Sequence, residues 1–434
     1  MQWRGDVWLY EEGRYRAMDC REFTAELNRA VRAELIRVGA SDGKGQLVKV
    51  TRNLVSNVAA ALESITLVRG DVDQPFGFGP FEKSRGLLTM KNGLLDLTIA
   101  EGEQKEHALR PHSPQWFSTV KLPYDYQPDA TCAQFLHFLN WMFQHDHELI
   151  ALVQEWFGYC LATDPDMNLH KFIIFEGQGG NGKGVLLNLL MDVLGRENVS
   201  TVGVEAFLPT DRFSLFETLG KLANVSMETD DISVGEGRLK TFVAGEAMPF
   251  EKKHRQAITA RPTARLTFAT NNPPKFSDKT DGMWRRLILV PCRATMPEAR
   301  QNPGLGEELR HELPGIFNWA LEGLRRLRAN RRFTQPASVR AAVGQFREER
   351  DPARVFLQEH CVEDPQGFLS TQEVYRDYRF WCELNGAKAD GTEDFGKAIR
   401  AVFPRAMSHR PSSGGERVRG YTGVRRKGPS EVSG

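Results

Sequence analysis

The chain has no run of about 18 consecutive apolar residues, so no segment reads as a membrane-spanning helix. The opening "MQWRGDVWLYEEGRYR" has no apolar core of signal-peptide length and carries acids, so we expect a protein that works inside the cell that makes it. Cysteines are few and scattered: Cys20, Cys132, Cys160, Cys292, Cys361 and Cys382 include no C-x-x-C pair. That spacing argues against a structural zinc or a disulfide framework and for reduced, buried thiols. Charge of one sign is also lacking. The 57 Lys and Arg nearly cancel the 56 Asp and Glu, leaving +1, so any nucleic-acid surface must be a local patch. No internal repeat is evident. The 434 residues, 41% hydrophobic and 26% charged, have the composition of an ordinary globular protein of two to four domains.

Short strand-like and helix-like patterns alternate over residues 1–70. "REFTAELNRAVRAELIRVG" sets Phe23, Leu27, Val31 and Leu35 on one helical face. "NGLLDL" (92–97) reads as a turn entering a strand, and 129–162 reads as helix, broken at "QHDH". Between 168 and 295, apolar strand runs at 171–175, 222–227, 265–270 and 286–291 alternate with helices and polar loops, the pattern of an α/β nucleotide-binding core. Residues 304–330 are helical again. A charged connector leads to "STQEVYRDYRFWCELNG", which opens on a Ser370/Glu373 capping box and closes on Asn385-Gly386. A helix over 392–403 and a basic, Gly-rich stretch over 408–428 follow, and "GPSEVSG" reads as a tail.

The most informative stretch is "FIIFEGQGGNGKGVLLNLLMDVLG" (172–195), in which five glycines surround one lysine between an apolar strand and an apolar helix. The spacing Gly177-x-x-x-x-Gly182-Lys183 is that of a phosphate-binding loop. Backbone N–H groups converge on an anion only where glycine permits it, and the following helix adds its positive end. The candidate nucleotide contacts are Gly177, Gln178, Gly179, Gly180, Asn181, Gly182, Lys183, Gly184 and Val185. Gly184 stands where such loops place a Ser or Thr ligand to Mg²⁺, so the metal must rely on carboxylates, phosphates and water. Glu228 and Asp230, two apart at the end of "KLANVSMETDD", share a face of an extended chain and suit Mg²⁺ and the attacking water. Asn271 ends "RLTFATNN" as a phosphate sensor, and Arg285 and Arg286 precede the last strand, where an arginine can reach a phosphate on a neighbouring subunit. "AMPFEKKHRQAIT" reads as a hairpin with a basic tip, Lys252, Lys253, His254 and Arg255, suited to phosphates rather than bases.

Taken in order, "GQGGNGKG", "VSMETDD", "KTFVAGEAMPFEKKHRQ", "FATNNPP" and "WRRLILVP" resemble the motifs of superfamily 3 helicases, an AAA+-like group, and specifically the phage and plasmid primase–helicase family and its poxvirus relatives. The resemblance covers about residues 85–425. It implies that Lys183 binds phosphate, Glu228 and Asp230 serve metal and water, Asn271 senses phosphate, and Arg286, with Arg285 as fallback, is the arginine finger. It also implies ATP and Mg²⁺ as ligands and a hexameric ring threading one strand of forked DNA in a bacterial host, with a separate primase or initiator as a further partner. The terminal unit resembles the winged-helix ending of the family. Residues 405–427 hold seven basic residues against one acid, and Arg417, Arg419, Arg425 and Arg426, with Lys397 and Arg400 on the preceding helix, are its candidate DNA contacts.

The expected organisation is an α/β chain with an N-terminal region over 1–85, a mainly helical domain over 86–165, the ATPase core over 166–335, a linker over 336–352, the winged-helix-like domain over 353–427 and a tail over 428–434. About 85 residues ahead of "NGLLDL" are few for a polymerase domain, and "DVD" (71–73) lies in a Pro/Gly-rich loop, so no priming activity is expected. The leading expectation is an ATP-dependent DNA helicase of phage, prophage or plasmid replication. The alternatives are a nucleotide-binding, DNA-binding replication factor with weak turnover, or a defence or packaging ATPase on the same core.

Overall fold

The computed structural model describes residues 1–40, 48–102, 104–227, 235–253, 255–271, 276, 281–297, 299, 301–409, 412–413, 416–417 and 419–428. They fall into two units: residues 1–274 with 285–339, and residues 275–284 with 340–434.

The first unit is built around a five-stranded parallel sheet. Its strands, in chain order, are β1 (Phe172–Glu176), β2 (Val199–Ser200), β3 (Ala223–Ser226), β4 (Arg265–Thr270) and β5 (Leu287–Pro291). In space they lie in the order β2-β3-β4-β1-β5. Four correspond to the apolar runs read from sequence. The two-residue β2 is too short to carry a period. Nearly every residue of these strands is buried, which explains their continuous apolar character in place of alternation. Helix Lys183–Leu194 follows β1 directly.

Helices His147–Leu161 and Leu313–Asn330 pack closely because glycines stand at the crossing. A Cβ at Gly158 would lie 2.4 Å from the Ala320 carbonyl oxygen, and one at Gly323 would lie 2.3 Å from that of Gln154. The indole N–H of Trp156 donates to Thr267 Oγ1 at 2.9 Å, tying this pair to β4. Fully buried Glu155 accepts from Arg326 Nε at 2.7 Å and from the Thr334 N–H at 2.7 Å. The N-terminal strands Gln2–Trp3, Asp6–Glu11 and Arg14–Met18 form an antiparallel sheet over an aromatic cluster in which Phe76 and Phe117 stack at 4.5 Å.

The second unit has helices Pro352–His360, Thr371–Leu384 and Thr392–Val402 against an antiparallel sheet of Cys361–Ser370, Gly420–Arg426 and Met407–His409. Ser370 Oγ caps its helix by accepting the Glu373 N–H at 3.5 Å, and Gly386 takes φ +65° just past the helix end. Tyr378 stacks on Phe395 at 4.4 Å in the core. Tyr421 is buried in that core, on the strand Gly420–Arg426, which is the central one of the sheet. Gly414-Gly415 lies outside the described residues; Ser412–Ser413 and Glu416–Arg417 on either side pair antiparallel.

Among the described residues, no helix is long and apolar enough to cross a membrane.

Candidate functional site

The loop after β1 is shaped by glycine. Gly177, Gly180 and Gly182 take φ of +156°, +74° and +85°. A Cβ on Gly177 would lie 2.3 Å from the Cys292 carbonyl oxygen, so glycine is required there for packing as well as conformation. Asn181 spans the loop: its Nδ2 donates to the Cys292 carbonyl at 3.2 Å, and its Oδ1 accepts the Lys183 N–H at 3.3 Å. The Met296 N–H donates to the Gly180 carbonyl at 2.9 Å and fixes the far side.

Lys183 is buried at the first position of the helix. Its ammonium donates to the Gly177 carbonyl, to the Gln178 carbonyl at 3.2 Å, to Asn181 Oδ1 at 3.3 Å and to Asn271 Oδ1 at 3.4 Å. Burial pulls its pKa below the usual lysine value. Asn271 reaches the lysine because β4 and β1 are neighbours: Thr270 pairs with Glu176, and the Gly177 N–H donates to the Thr270 carbonyl at 3.2 Å. The cradle has a buried positive charge, oxygens that an anion can replace and an amide side chain facing it. A cavity of about 840 Å³ opens beside it, bounded by Gly179–Val185, Phe138, Trp141, Met296 and Leu305. A Cβ at Gly184 would have nothing within 4 Å.

Glu228 and Asp230 lie outside the described residues, so their place at the cradle is not described. Met227, just before them, brings its Sδ to 3.8 Å from Asn188 Nδ2, which also donates to the Gly184 carbonyl at 2.8 Å. Arg285 and Arg286 stand at the opposite end of the strands, not beside Lys183. Leu287 pairs with Phe172 and Pro291 with Glu176, so Arg286 is about six strand residues, roughly 20 Å, from Gly177. Lys171 donates its ammonium to the Arg285 carbonyl. Burial first, then Arg285, pulls the Arg286 pKa down.

Strands Met248–Phe250 and Ile258–Ala260 pair antiparallel, forming the expected hairpin. At its tip, Lys253 is exposed and His254 lies outside the described residues. Lys252 sits 5.1 Å over the Phe216 ring, and Arg255 pairs with Asp6 at 2.5 Å. The basic tip is therefore not wholly presented to solvent, because the fold brings an acid from the N-terminal sheet to it. Sequence reasoning missed Phe213, which is 48% exposed. Asp211 holds its turn by accepting from the Phe213 and Ser214 N–H groups at 3.1 and 3.0 Å, and Arg238 donates to the Leu208 and Asp211 carbonyls at 2.8 and 2.6 Å. Neighbouring Arg212 pairs with Glu251 of the hairpin at 2.7 Å. The only signal was an aromatic beside an arginine in a turn-rich stretch.

In the second unit, Arg400 and Arg419 are exposed. Lys397 pairs with Asp394 at 2.9 Å and Glu393 at 3.3 Å, Arg425 with Asp364 at 2.9 Å, and Arg426 with Asp377 at 2.6 Å. Arg417 is described only as part of its short strand. Three of the six basic residues expected to meet DNA therefore already hold acids, which lie within helical reach or on facing elements.

Three family profiles match: D5 N terminal like over residues 3–144, a family of unknown function (DUF5906) over 175–286, and the RFX DNA-binding domain over 351–428. Two viral proteins named as helicases are similar at low identity. L207/L206 of Acanthamoeba polyphaga mimivirus is 21% identical over 363 residues, covering 74% of this chain and 36% of that protein. Protein 022R of Frog virus 3 is 21% identical over 269 residues, covering 56% of this chain and 27% of that protein. The chain thus matches about a third of the length of these curated relatives. The solved C-terminal region of NrS-1 shares the fold, with a TM-score of 0.53 at 14% identity, covering 96% of this chain and 93% of that one.

Proposed function

We propose that this chain is an ATP-driven DNA motor of the superfamily 3 type, acting in replication of a phage, prophage or plasmid and closing into a homo-hexameric ring on single-stranded or forked DNA. The observation that carries this reading is the Lys183 cradle: a buried ammonium ringed by loop oxygens at the start of a helix, with Asn271 facing it from the adjoining strand. The sheet order, with the lysine strand between β4 and β5, supports an AAA+-like core.

In this reading, triphosphate oxygens replace the loop carbonyls around Lys183, and binding an anion offsets the cost of burying the charge. Asn271 holds the attacking water or the terminal phosphate. Glu228 and Asp230 would hold Mg²⁺, which when bound neutralises phosphate charge; Gly184 leaves room there but supplies no hydroxyl. Arg286 is too far from Lys183 in its own chain to serve it, which supports delivery of the guanidinium to the cradle of a neighbouring copy. Lys252, Lys253, His254 and Arg255 follow the phosphate backbone, and Phe213 offers a face for a base or sugar. The second unit, a winged-helix-like domain, adds duplex contacts through Arg400 and Arg419.

The test is complementation. Lys183→Ala and Arg286→Ala should each abolish DNA-stimulated ATP hydrolysis. Equimolar mixing should restore part of it at borders where an intact lysine meets an intact arginine. Failure of mixed, assembled subunits to regain turnover would remove the shared-site reading. Nucleotide binding with no DNA-stimulated turnover in the wild type would favour a non-motor replication factor.

A further inference from the structure

We propose that the indole of Trp141 is the platform on which the nucleobase of the bound nucleotide stacks, so that the cradle prefers purine nucleoside triphosphates. The inference rests on the nucleotide reading above and concerns the other half of the same cavity. The cavity beside Gly179–Val185 is about 840 Å³, within the range that takes a small organic ligand. Phosphates need only the loop, yet much of the remaining wall is apolar, with Phe138, Trp141, Val185, Met296 and Leu305 among its lining. Trp141 is half-buried and packs against the core, so part of the residue is left exposed. The ring stands close against the loop, since Cζ3 lies 3.2 Å from where a Cβ of Gly182 would be. Of the polar side chains that also line the cavity, Gln134, His137, Gln301, Asn302 and Glu308, three are engaged within the fold. Gln301 Nε2 donates to the Met296 carbonyl at 3.0 Å, and Asn302 Nδ2 donates to Glu308 Oε1 at 3.0 Å. A wall of this kind holds a flat ring by area rather than by reading its edge, which favours two fused rings over one.

The experiment uses the full chain and calorimetric titration with ATP, CTP and inorganic tripolyphosphate, which carries phosphates without a base. In Trp141→Ala, the ATP dissociation constant should rise about 5- to 100-fold, that of CTP less, and that of tripolyphosphate not at all. Trp141→Phe should recover most of the ATP affinity. Unchanged ATP binding in Trp141→Ala overturns the platform and leaves the cradle standing. So does an equal loss for ATP and tripolyphosphate, which would mean that the indole only props Gly182. Wild-type protein that binds neither ATP nor tripolyphosphate would overturn both the cradle and the platform.

Discussion

Gly177 and Gly184 flank the same lysine loop, yet the structure assigns them opposite tolerances. In Gly177→Ala the new methyl would lie 2.3 Å from the Cys292 carbonyl oxygen and 2.5 Å from Asn181 Nδ2. The carbonyl cannot swing aside, because the Cys292 N–H donates to Glu176 at 2.7 Å and Pro291 is in register with Glu176. Relief must come from moving the loop by about 1 Å, which breaks the Asn181–Cys292 bond and orphans a buried carbonyl at about 1–3 kcal/mol. Holding a non-glycine residue at this φ adds about 1–3 kcal/mol. The expected loss is about 2–6 kcal/mol of stability, with nucleotide affinity falling further because Asn181 also holds Lys183. Gly184→Ala meets nothing within 4 Å in the first turn of a helix and should be neutral or stabilising by about 0.5–1 kcal/mol. Gly184→Ser should fold equally well and leave Mg²⁺-dependent turnover equal or higher. Urea unfolding followed by circular dichroism, with ATP titration of each variant, reads these values. A Gly177→Ala protein as stable as wild type, or a Gly184→Ala protein destabilised by more than about 1 kcal/mol, would refute the loop geometry.

Glu155→Ala should cost about 3 kcal/mol, since it leaves the Arg326 guanidinium and the Thr334 N–H without their buried acceptor; a loss below about 1 kcal/mol would contradict that network. Glu101 pairs with Arg328 at 2.8 Å, yet burial outweighs the pair and pushes its carboxyl from 4.5 up to about 7. The folded state then keeps a proton that the unfolded chain releases, so stability should fall by up to about 3 kcal/mol as pH rises from 4.5 to about 7 and level off above. Glu101→Gln should flatten that part of the urea-midpoint profile, and an unchanged slope would assign it elsewhere. Asp6→Asn should release Arg255 and steepen the salt dependence of single-stranded DNA binding by about 0.7 in log–log slope, one more phosphate contact; an unchanged slope means that Arg255 does not reach DNA.

Features that depend on neighbours in the chain were readable in advance: the glycine pattern of the lysine loop, four of the five core strands, the Ser370 cap, the Gly386 helix end and the basic hairpin. Each follows from φ preference, side-chain period or capping within a few residues. What depends on distant parts of the chain was not. Lys183 meets Asn271 only because β4 pairs with β1, and Gly177 is confined by a carbonyl from residue 292. Arg255 is held by an acid 249 residues away, Phe213 is left exposed by a turn pinned from Arg238, and Tyr421 is buried on the central strand of its sheet. Local chemistry therefore determined the glycine loop and the lysine that opens the following helix. The long-range order of the strands decided which residues face one another across the cradle and which are already bound to something else.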